Sequence, residues 1–254
     1  MLGKLMKYEF KATGRMFFPM YIAMILVALL NKFFFAMANG TDIQIIRIFS
    51  GLLMFFYVIA MIAVSFITFF VIIQRFYKNL LSSEGYLMMT LPVQPHEHIL
   101  AKFIPAVVWV LTSSVVVLLS VFIMIFENIN KEFWRGIERF LGNSNTHTIV
   151  LTLLIVLVTI GTSTMQYYAC IAVGHLSAKR RVLSAFLAYL VFYVVEQFVM
   201  AVIIVLLTTI IAGIHDWNVS INIILYFALV YSILKGVLFF FVTNSILKKK
   251  VNLN

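Results

Sequence analysis

Residues 48–73 read IFSGLLMFFYVIAMIAVSFITFFVII, a run that contains no charged residue. A helix rises about 1.5 Å per residue, so about 20 apolar residues are enough to cross the hydrocarbon core of a bilayer. The run is longer than this and predicts a transmembrane helix, and five comparable runs occur elsewhere. The six predicted spans lie near 17–38, 46–74, 99–126, 148–176, 182–211 and 220–247. The predicted fold class is therefore all-α, an integral membrane protein with six transmembrane helices.

The composition agrees with a membrane protein and excludes a soluble one. Of the 254 residues, 63% are hydrophobic and 11% are charged, whereas soluble chains contain about 25% charged residues. The formal net charge of +10 is compatible with nucleic-acid binding, but in a membrane protein it reflects the preference of Lys and Arg for the cytoplasmic side. We therefore expect contacts with membrane lipid and no nucleic-acid partner.

The distribution of basic residues predicts the orientation of the spans. If the N terminus is cytoplasmic, most of the 19 lysines and arginines fall on the inner side, as the positive-inside rule requires. The clearest clusters are residues 179–181 and 248–250. This orientation describes a multi-pass protein of the cell membrane with both termini cytoplasmic. It also places the loop between spans two and three in the cytoplasm.

Two further segments have the pattern of helices that lie on a membrane surface. In residues 1–15, apolar side chains such as Leu2 and Phe10 fall on one helical face and lysines occupy the other, which predicts an N-terminal amphipathic interfacial helix. Residues 130–142 show a similar alternation around Trp134, an amino acid that favours the headgroup level. We expect an outer interfacial helix there, with partner binding as the alternative.

The loop between spans two and three is long and of mixed composition. Residues 75–98 read RFYKNLLSSEGYLMMTLPVQPHEH. Pro92 disfavours helix at the residue before it, whereas Pro95 suits the first turn of the next helix. The pattern predicts a helix, a rigid elbow and a second helix. The apolar side chains of this projection need a cover, which is a partner protein, the headgroup region or the N-terminal helix.

The run EGYLMMTLPV at residues 84–93, followed by Lys102, resembles a segment that is common in small six-span permeases of the type-2 ABC exporter family of Gram-positive bacteria, E-G-Y-L-x-x-T-L-P-V…K. The start KYEFK at residues 7–11, the six spans and the basic C terminus are also similar. The similarity in layout covers residues 1–254 as a single transmembrane permease domain. The similarity in sequence is concentrated in the loop.

The resemblance implies that residues 79–95 form a coupling loop, which seats in a groove of a separate ATP-binding cassette subunit. It also implies a pathway formed by two permease copies, identical or related, in a bacterial plasma membrane. The packing anchors of the loop would be Tyr86, Leu87 and Met89, and Glu84 would make a polar contact. The full set of implied coupling residues is Glu84, Gly85, Tyr86, Leu87, Met89, Thr90 and Pro92.

In that family, spans two and five line the export route. The corresponding residues here are mostly apolar, which favours an amphipathic substrate, and we expect a peptide toxin or antimicrobial peptide over a lipid or a drug. Larger relatives have re-entrant helices between spans five and six. Residues 212–219 are too few for them, so they are absent or the fifth run is broken. The implied lining residues are Met54, Phe55, Phe56, Tyr57, Phe66, Phe69, Phe70, Phe192, Tyr193, Phe198 and Met200.

Motifs for a bound nucleotide or a catalytic metal are missing from the sequence. There is no G-x-x-x-x-G-K-[ST] loop and no H-E-x-x-H, and His96 and His98 have the wrong spacing for one helical face. We therefore expect a transport subunit and not an enzyme, with no cofactor bound by this chain. ATP and Mg²⁺ would belong to the partner subunit. Cys170 lies in an apolar run and is interpreted as a small packing residue.

Three ionisable residues lie inside the predicted spans, namely Lys32, Glu196 and Lys235. A charge at the centre of a membrane helix costs about 2.5–3.5 kcal/mol on insertion scales and faces the interior of the bundle in most cases. We expect Glu196 to pair with Lys235 or with Lys32. The pair is either part of the export route or dimer seam, or a purely structural ion pair, and Lys32 has the alternative of reaching the membrane surface.

Small residues in the fourth span, between Gly161 and Gly174, predict close packing against other helices. Residues 112–114, a Thr-Ser-Ser run, are expected to bond their own helix and are given no further role. The rival to an ATP-driven exporter is a secondary carrier or channel, in which Glu196 acts with one of the two lysines as an ion relay.

Overall fold

The computed structural model describes residues 2–40, 43–81, 93–125, 133–136, 138, 142, 146–177, 180–214 and 217–249. This part of the chain is helical and contains no strand. Its six long helices are α1 (Leu2–Gly40), α2 (Gln44–Leu81), α3 (Pro95–Ile125), α4 (Thr146–Gly174), α5 (Arg181–Ile211) and α6 (Trp217–Lys249). Each is long and apolar enough to cross a membrane. The predicted all-α class with six spans is confirmed.

The helices are longer than the apolar runs that predicted them. α2 continues for about two turns beyond residue 74 and ends at Leu81, and α3 begins at Pro95, before the apolar run starts. The start of α3 at Pro95 confirms the prediction from the proline, whose missing N–H is not needed in the first turn of a helix. α5 is unbroken from Arg181 to Ile211, which answers the question whether the fifth run is interrupted.

The first helix includes the predicted amphipathic segment. Residues 2–15 are continuous with the first span, because α1 runs without a break from Leu2 to Gly40. The helix passes through Pro19, and membrane helices tolerate proline where neighbouring groups compensate for the lost hydrogen bond. The predicted amphipathic pattern is present: Lys4 and Lys7 are exposed, whereas Leu2 is half-buried.

Two predicted segments fall largely outside the described residues. Of the coupling loop at 79–95, the structure describes 79–81 and 93–95, which excludes every implied coupling residue from Glu84 to Pro92. Of the predicted outer helix at 130–142, it describes 133–136, 138 and 142, all of which are helical. Phe133 and Trp134 are both about half exposed.

The chain divides into two compact units. The first comprises residues 1–74 and 104–140, and the second comprises residues 75–103 and 141–254. The core of the first unit is an apolar cluster around Trp109, whose ring stacks on Phe17 with centroids 4.7 Å apart. The other buried members of this cluster are Tyr21, Met24, Ala28, Tyr57, Val64, Val71 and Val116.

Hydrogen bonds between helices reinforce the first unit. The hydroxyl of Ser113 lies 2.7 Å from that of Tyr21 and 2.8 Å from that of Thr68, so one serine of α3 joins α1 and α2. Its neighbours Thr112 and Ser114 bond carbonyl groups of their own helix, as expected. The sequence assigned no role to residues 112–114, and the structure shows one for Ser113. Partners on other helices satisfy a hydroxyl that lipid cannot.

The second unit is organised around α4, which packs against both α5 and α6. Glycines allow α4 to lie close to each of these two helices. A Cβ atom added to Gly174 would lie 2.5 Å from the Cβ of Ala185 on α5 and 2.6 Å from its main-chain N and Cα. A Cβ added to Gly236 on α6 would lie 2.8 Å from Thr162 of α4. The predicted role of the small residues of the fourth span in helix packing is supported at these contacts.

Candidate functional site

The end of α2 and the second turn of α3, on either side of the polar loop, are buried. At the end of α2, Phe76, Leu80 and Leu81 have at most 1% of their surface exposed, and at the start of α3 Ile99 is fully buried. All four belong to the second unit. The loop is therefore attached on both sides to rigid, packed structure, because well-packed interiors do not deform continuously.

Tyr168 of α4 contacts both α2 and α3. Its ring stacks on Phe76 with centroids 3.9 Å apart and planes inclined by 10°. Its hydroxyl donates a hydrogen bond of 3.3 Å to the main-chain oxygen of Lys102 on α3. The tyrosine is 1% exposed, and a buried aromatic side chain of this kind contributes both apolar area and a directed polar contact.

His175 makes a second connection, directly after α4 ends. Its Nε2 donates to the main-chain oxygen of Leu81, which fixes the tautomer because a carbonyl oxygen only accepts. Burial lowers the pKa of His175 below its ordinary value; the hydrogen bond to Leu81 opposes this effect, and the nearby charge of Arg181 adds to it. The imidazole is therefore neutral at pH 7. Its ring also lies 6.5 Å from that of Tyr77.

These contacts define one structural feature, which we call the loop anchor. It consists of Phe76, Leu81, Lys102, Tyr168 and His175. Through it the last third of α4 is joined to the end of α2 and to the start of α3. A force on the loop would therefore reach α4 through packed rings and main-chain hydrogen bonds.

The second polar feature is an ion pair near the midpoints of α5 and α6. Glu196 Oε1 accepts a short hydrogen bond from the Lys235 ammonium. The amide nitrogen of Gln166 on α4 donates to Glu196 Oε2 at 3.3 Å. The side chains of Lys235 and Glu196 are 15% and 22% exposed. Three helices thus contribute to one polar cluster, and Gln166 lies two residues before Tyr168 of the loop anchor.

Aromatic side chains lie one and two helical turns from this cluster. Phe192, one turn before Glu196, packs edge-on against Phe239, one turn after Lys235, with centroids 5.3 Å apart. This matches the antiparallel course of α5 and α6. Tyr189 stacks between Tyr167 of α4 and Tyr193 of its own helix, with centroid distances of 5.8 and 6.4 Å.

The structure brings together some of the predicted site residues. Of the two pairings that the sequence left open for Glu196, it contains the one with Lys235. Lys32 belongs to the first unit, whereas Glu196 and Lys235 belong to the second. The coupling residues implied by the resemblance lie outside the described residues, although Lys102 of the same motif lies in the loop anchor.

The implied lining residues divide into two groups. Most of those on α2 are exposed, as a lining requires, and so are Tyr193 and Phe198 of α5. Tyr57 does not fit, because it is 2% exposed and its hydroxyl lies 3.0 Å from that of Ser120 within the first unit. Its assignment to the lining is wrong, because its hydroxyl has a hydrogen-bond partner on α3 and its ring is buried in the core of the first unit.

The described residues contain no group of three potential ligands that could hold a metal ion. Cys170 is a free, buried thiol in α4, as its apolar surroundings predicted. Comparison of the chain with family models, with curated proteins and with solved structures found no match.

Of the residues that form the loop anchor, sequence reasoning named Lys102 and missed the contacts of the other four. No periodicity shows that Tyr168 and Phe76 stack, because their contact depends on how distant helices pack. A weaker signal existed for Gln166, the one amide among the small residues of the fourth span. Polar side chains inside a span need a partner, and this requirement could have pointed to Glu196.

Proposed function

We propose that the chain is the permease subunit of an ATP-driven exporter, working as a pair of permease copies with a separate ATP-binding cassette subunit. The loop at residues 79–95 is the docking point for that subunit. The substrate is amphipathic, and a peptide toxin or antimicrobial peptide fits best. Both termini and the loop face the cytoplasm of a bacterial cell, as the distribution of basic residues favours.

The loop anchor is the observation that carries this proposal. A loop that only connects two spans needs no fixed base, whereas a loop that delivers mechanical work needs one. The end of α2 and the second turn of α3 are buried, and these two helices are bonded to α4 through His175 and Tyr168. The resemblance of residues 84–93 to the coupling segment of exporter permeases adds independent support.

The geometry suggests how work done at the loop reaches the membrane interior. Displacing the loop moves the ends of α2 and α3, and Tyr168 and His175 pass this movement to α4. Because α4 packs against α5 and α6, its movement changes the positions of Gln166 and of the ion pair bonded to it. Alternating access then requires two arrangements of these helices, biased by nucleotide binding and hydrolysis in the partner.

Isolation of the intact complex tests the proposal. The chain, carrying an affinity tag, is purified from its native membrane in mild detergent, and ATP hydrolysis by the eluate is measured. We expect a co-purified subunit that hydrolyses ATP and whose loss of activity stops transport in vesicles. Transport that continues after ATP hydrolysis in the partner has been abolished would contradict the proposal.

The Glu196–Lys235 pair supports a second candidate, a secondary carrier that uses the pair as an ion relay. Buried carboxylates and lysines mark proton and ion paths in many transporters. The two candidates differ in their energy source. A carrier works in sealed vesicles with an imposed proton or sodium gradient and no ATP, whereas an exporter works with ATP and no gradient.

A further inference from the structure

We propose that Glu196 and the neighbouring Tyr193 of α5 form a binding site for the cationic group of an amphipathic substrate. This inference rests on the proposed function and deepens it, because it names the charge of the cargo. The site comprises the Glu196 carboxylate, the ring face of Tyr193 that Tyr189 leaves uncovered, and the amide of Gln166.

The spacing of these residues places them on one face of α5. Tyr189, Tyr193 and Glu196 are separated by four and by three residues, and such neighbours lie side by side on a helix. Tyr193 is 47% exposed, although it stacks on Tyr189. Tyrosine faces attract cations within about 6 Å of the ring centroid. The uncovered face of Tyr193, one turn from a carboxylate, is therefore a surface that favours positive over negative charge.

Glu196 has acceptor capacity left in this arrangement. Each carboxylate oxygen can accept two hydrogen bonds, and among the residues that the structure describes Oε2 receives one long contact, that of Gln166 at 3.3 Å. The carboxylate is also partly exposed, at 22%. Rotation of the Gln166 amide would present its carbonyl oxygen to an arriving cation. A ligand can thus approach Oε2 while Lys235 keeps its contact with Oε1.

The surroundings favour an organic cation over a metal ion. Sodium, magnesium and calcium ions need several oxygen ligands to replace their hydration shells, whereas one carboxylate and one amide meet here beside the Lys235 ammonium. An alkylammonium or arylphosphonium group loses less hydration and gains contact with the rings. The rest of the described chain leaves this helix uncovered, since none of residues 181–211, all of which the structure describes, is buried.

The test uses a pair of probes that match in shape and differ in the sign of their charge. Tetraphenylphosphonium and tetraphenylborate are both lipophilic, and their binding to the full chain in lipid nanodiscs is measured by equilibrium dialysis. Empty nanodiscs correct for partition into lipid. We expect saturable binding of the phosphonium and none of the borate. Equal binding of both probes, or of neither, would overturn the proposal.

Substitutions at Tyr193 separate the aromatic face from simple bulk. We expect Tyr193→Phe to bind the phosphonium within about twofold of the wild type, and Tyr193→Leu to bind it about tenfold more weakly, the loss that corresponds to a partly desolvated cation–π contact. Tyr226→Leu is the matched control, because Tyr226 is similarly exposed but lies beside His147, away from Glu196. A loss of binding in this control equal to that of Tyr193→Leu would refute the site.

A substitution of Lys235 distinguishes binding from a purely structural pair. Lys235→Met removes the internal cation that competes for Glu196, so we expect phosphonium binding to tighten by about tenfold. A structural pair predicts weaker binding or none. Glu196→Gln removes the carboxylate charge and should not bind the phosphonium. If this variant fails to fold, the double variant Glu196→Gln/Lys235→Met removes both charges together, and it should not bind the phosphonium either. Strong binding by a folded double variant would contradict the proposal.

The experiment is independent of the exporter assignment, because it needs neither ATP nor a partner subunit. Failure to bind the phosphonium while the purified complex still hydrolyses ATP would remove the cation site and leave the proposed function intact. Binding without any ATP-hydrolysing partner would have the opposite meaning, since it would support the site in a carrier that works alone.

Discussion

His175, the first residue after α4, donates a hydrogen bond to the main-chain oxygen of Leu81, the last residue of α2. A helix leaves its final carbonyl groups without partners inside the helix, so this contact satisfies an acceptor where the polar loop begins. It joins two segments that are far apart in sequence. Seven residues earlier, Tyr168 donates a hydrogen bond to the main-chain oxygen of Lys102, which lies inside α3 on the other side of the loop.

The neutrality of His175 predicts a dependence of stability on pH. Burial keeps its pKa in the folded protein below the ordinary value of 6.5, so the unfolded chain binds the proton more tightly. The stabilising contribution is then complete above about pH 6.5 and is lost as the pH falls through the lower pKa of the folded state. We expect the melting temperature of the wild type in detergent to fall between pH 7.5 and 5.5.

The variant His175→Gln provides the control for this titration. Glutamine can donate to the Leu81 oxygen but does not titrate, so its melting temperature should fall less over the same pH range. A pH dependence identical to that of the wild type would show that other groups cause the effect. At pH 7.5 the two proteins should differ little, because both keep a donor at this position.

Substitutions of Tyr168 should separate its two contacts. Tyr168→Phe retains the stack on Phe76 and loses the hydrogen bond to Lys102, which should lower the free energy of unfolding by about 1 kcal/mol. Tyr168→Leu also loses the stack, and we expect a total loss of about 2–4 kcal/mol. Denaturation in detergent measures both values. An equal effect of the two variants would mean that the ring stack contributes nothing to the anchor.

The contact between α4 and α5 predicts that alanine cannot replace Gly174. The added Cβ would meet main-chain atoms of Ala185 at 2.6 Å, and a backbone cannot move aside as a flexible side chain does. We expect Gly174→Ala to destabilise the protein by about 1–3 kcal/mol.

Gly51→Ala is the matched control for this substitution. Gly51 also lies inside a long helix, but a Cβ there has no atom within 4 Å. It should be neutral or slightly stabilising, because alanine is the better helix former by about 1 kcal/mol. Equal melting temperatures for both variants would contradict the close approach at Gly174.

The ion pair should behave non-additively in a double-mutant cycle. Glu196→Gln and Lys235→Met each leave one charge without its partner, and we expect each to cost about 3 kcal/mol of unfolding free energy, the lower end of values for buried pairs because both side chains are partly exposed. The double variant should recover most of this loss. Additive losses, measured by thermal denaturation in nanodiscs, would show that the two side chains act separately.

The spans and the ion pair could be predicted from sequence for a physical reason. A membrane imposes a length and a hydrophobicity on each helix, and a buried carboxylate limits its partners to the few cations at a similar depth. Thus the apolar runs identified all six helices, and Glu196 was expected to pair with Lys235 or Lys32. The start of α3 at Pro95 could also be predicted from the sequence, because it depends on the proline alone.

Other features depend on packing that no local pattern contains. The joining of residues 2–15 to the first span follows from a continuous backbone, which an amphipathic pattern neither requires nor forbids. Ser113 was expected to bond its own helix, and its contacts with Tyr21 and Thr68 arise only when three helices meet. The stack of Phe76 on Tyr168 likewise joins side chains that are far apart in sequence.

The central claim is that the anchored loop receives work from an ATP-hydrolysing partner. The most direct test is the ATP hydrolysis of the purified complex, with and without an amphipathic peptide, for the wild type and for the double variant Tyr86→Ala/Leu87→Ala. We predict that the peptide stimulates hydrolysis in the wild type and not in the variant, while the melting temperature of the permease chain stays the same. Equal stimulation in both proteins would contradict the claim.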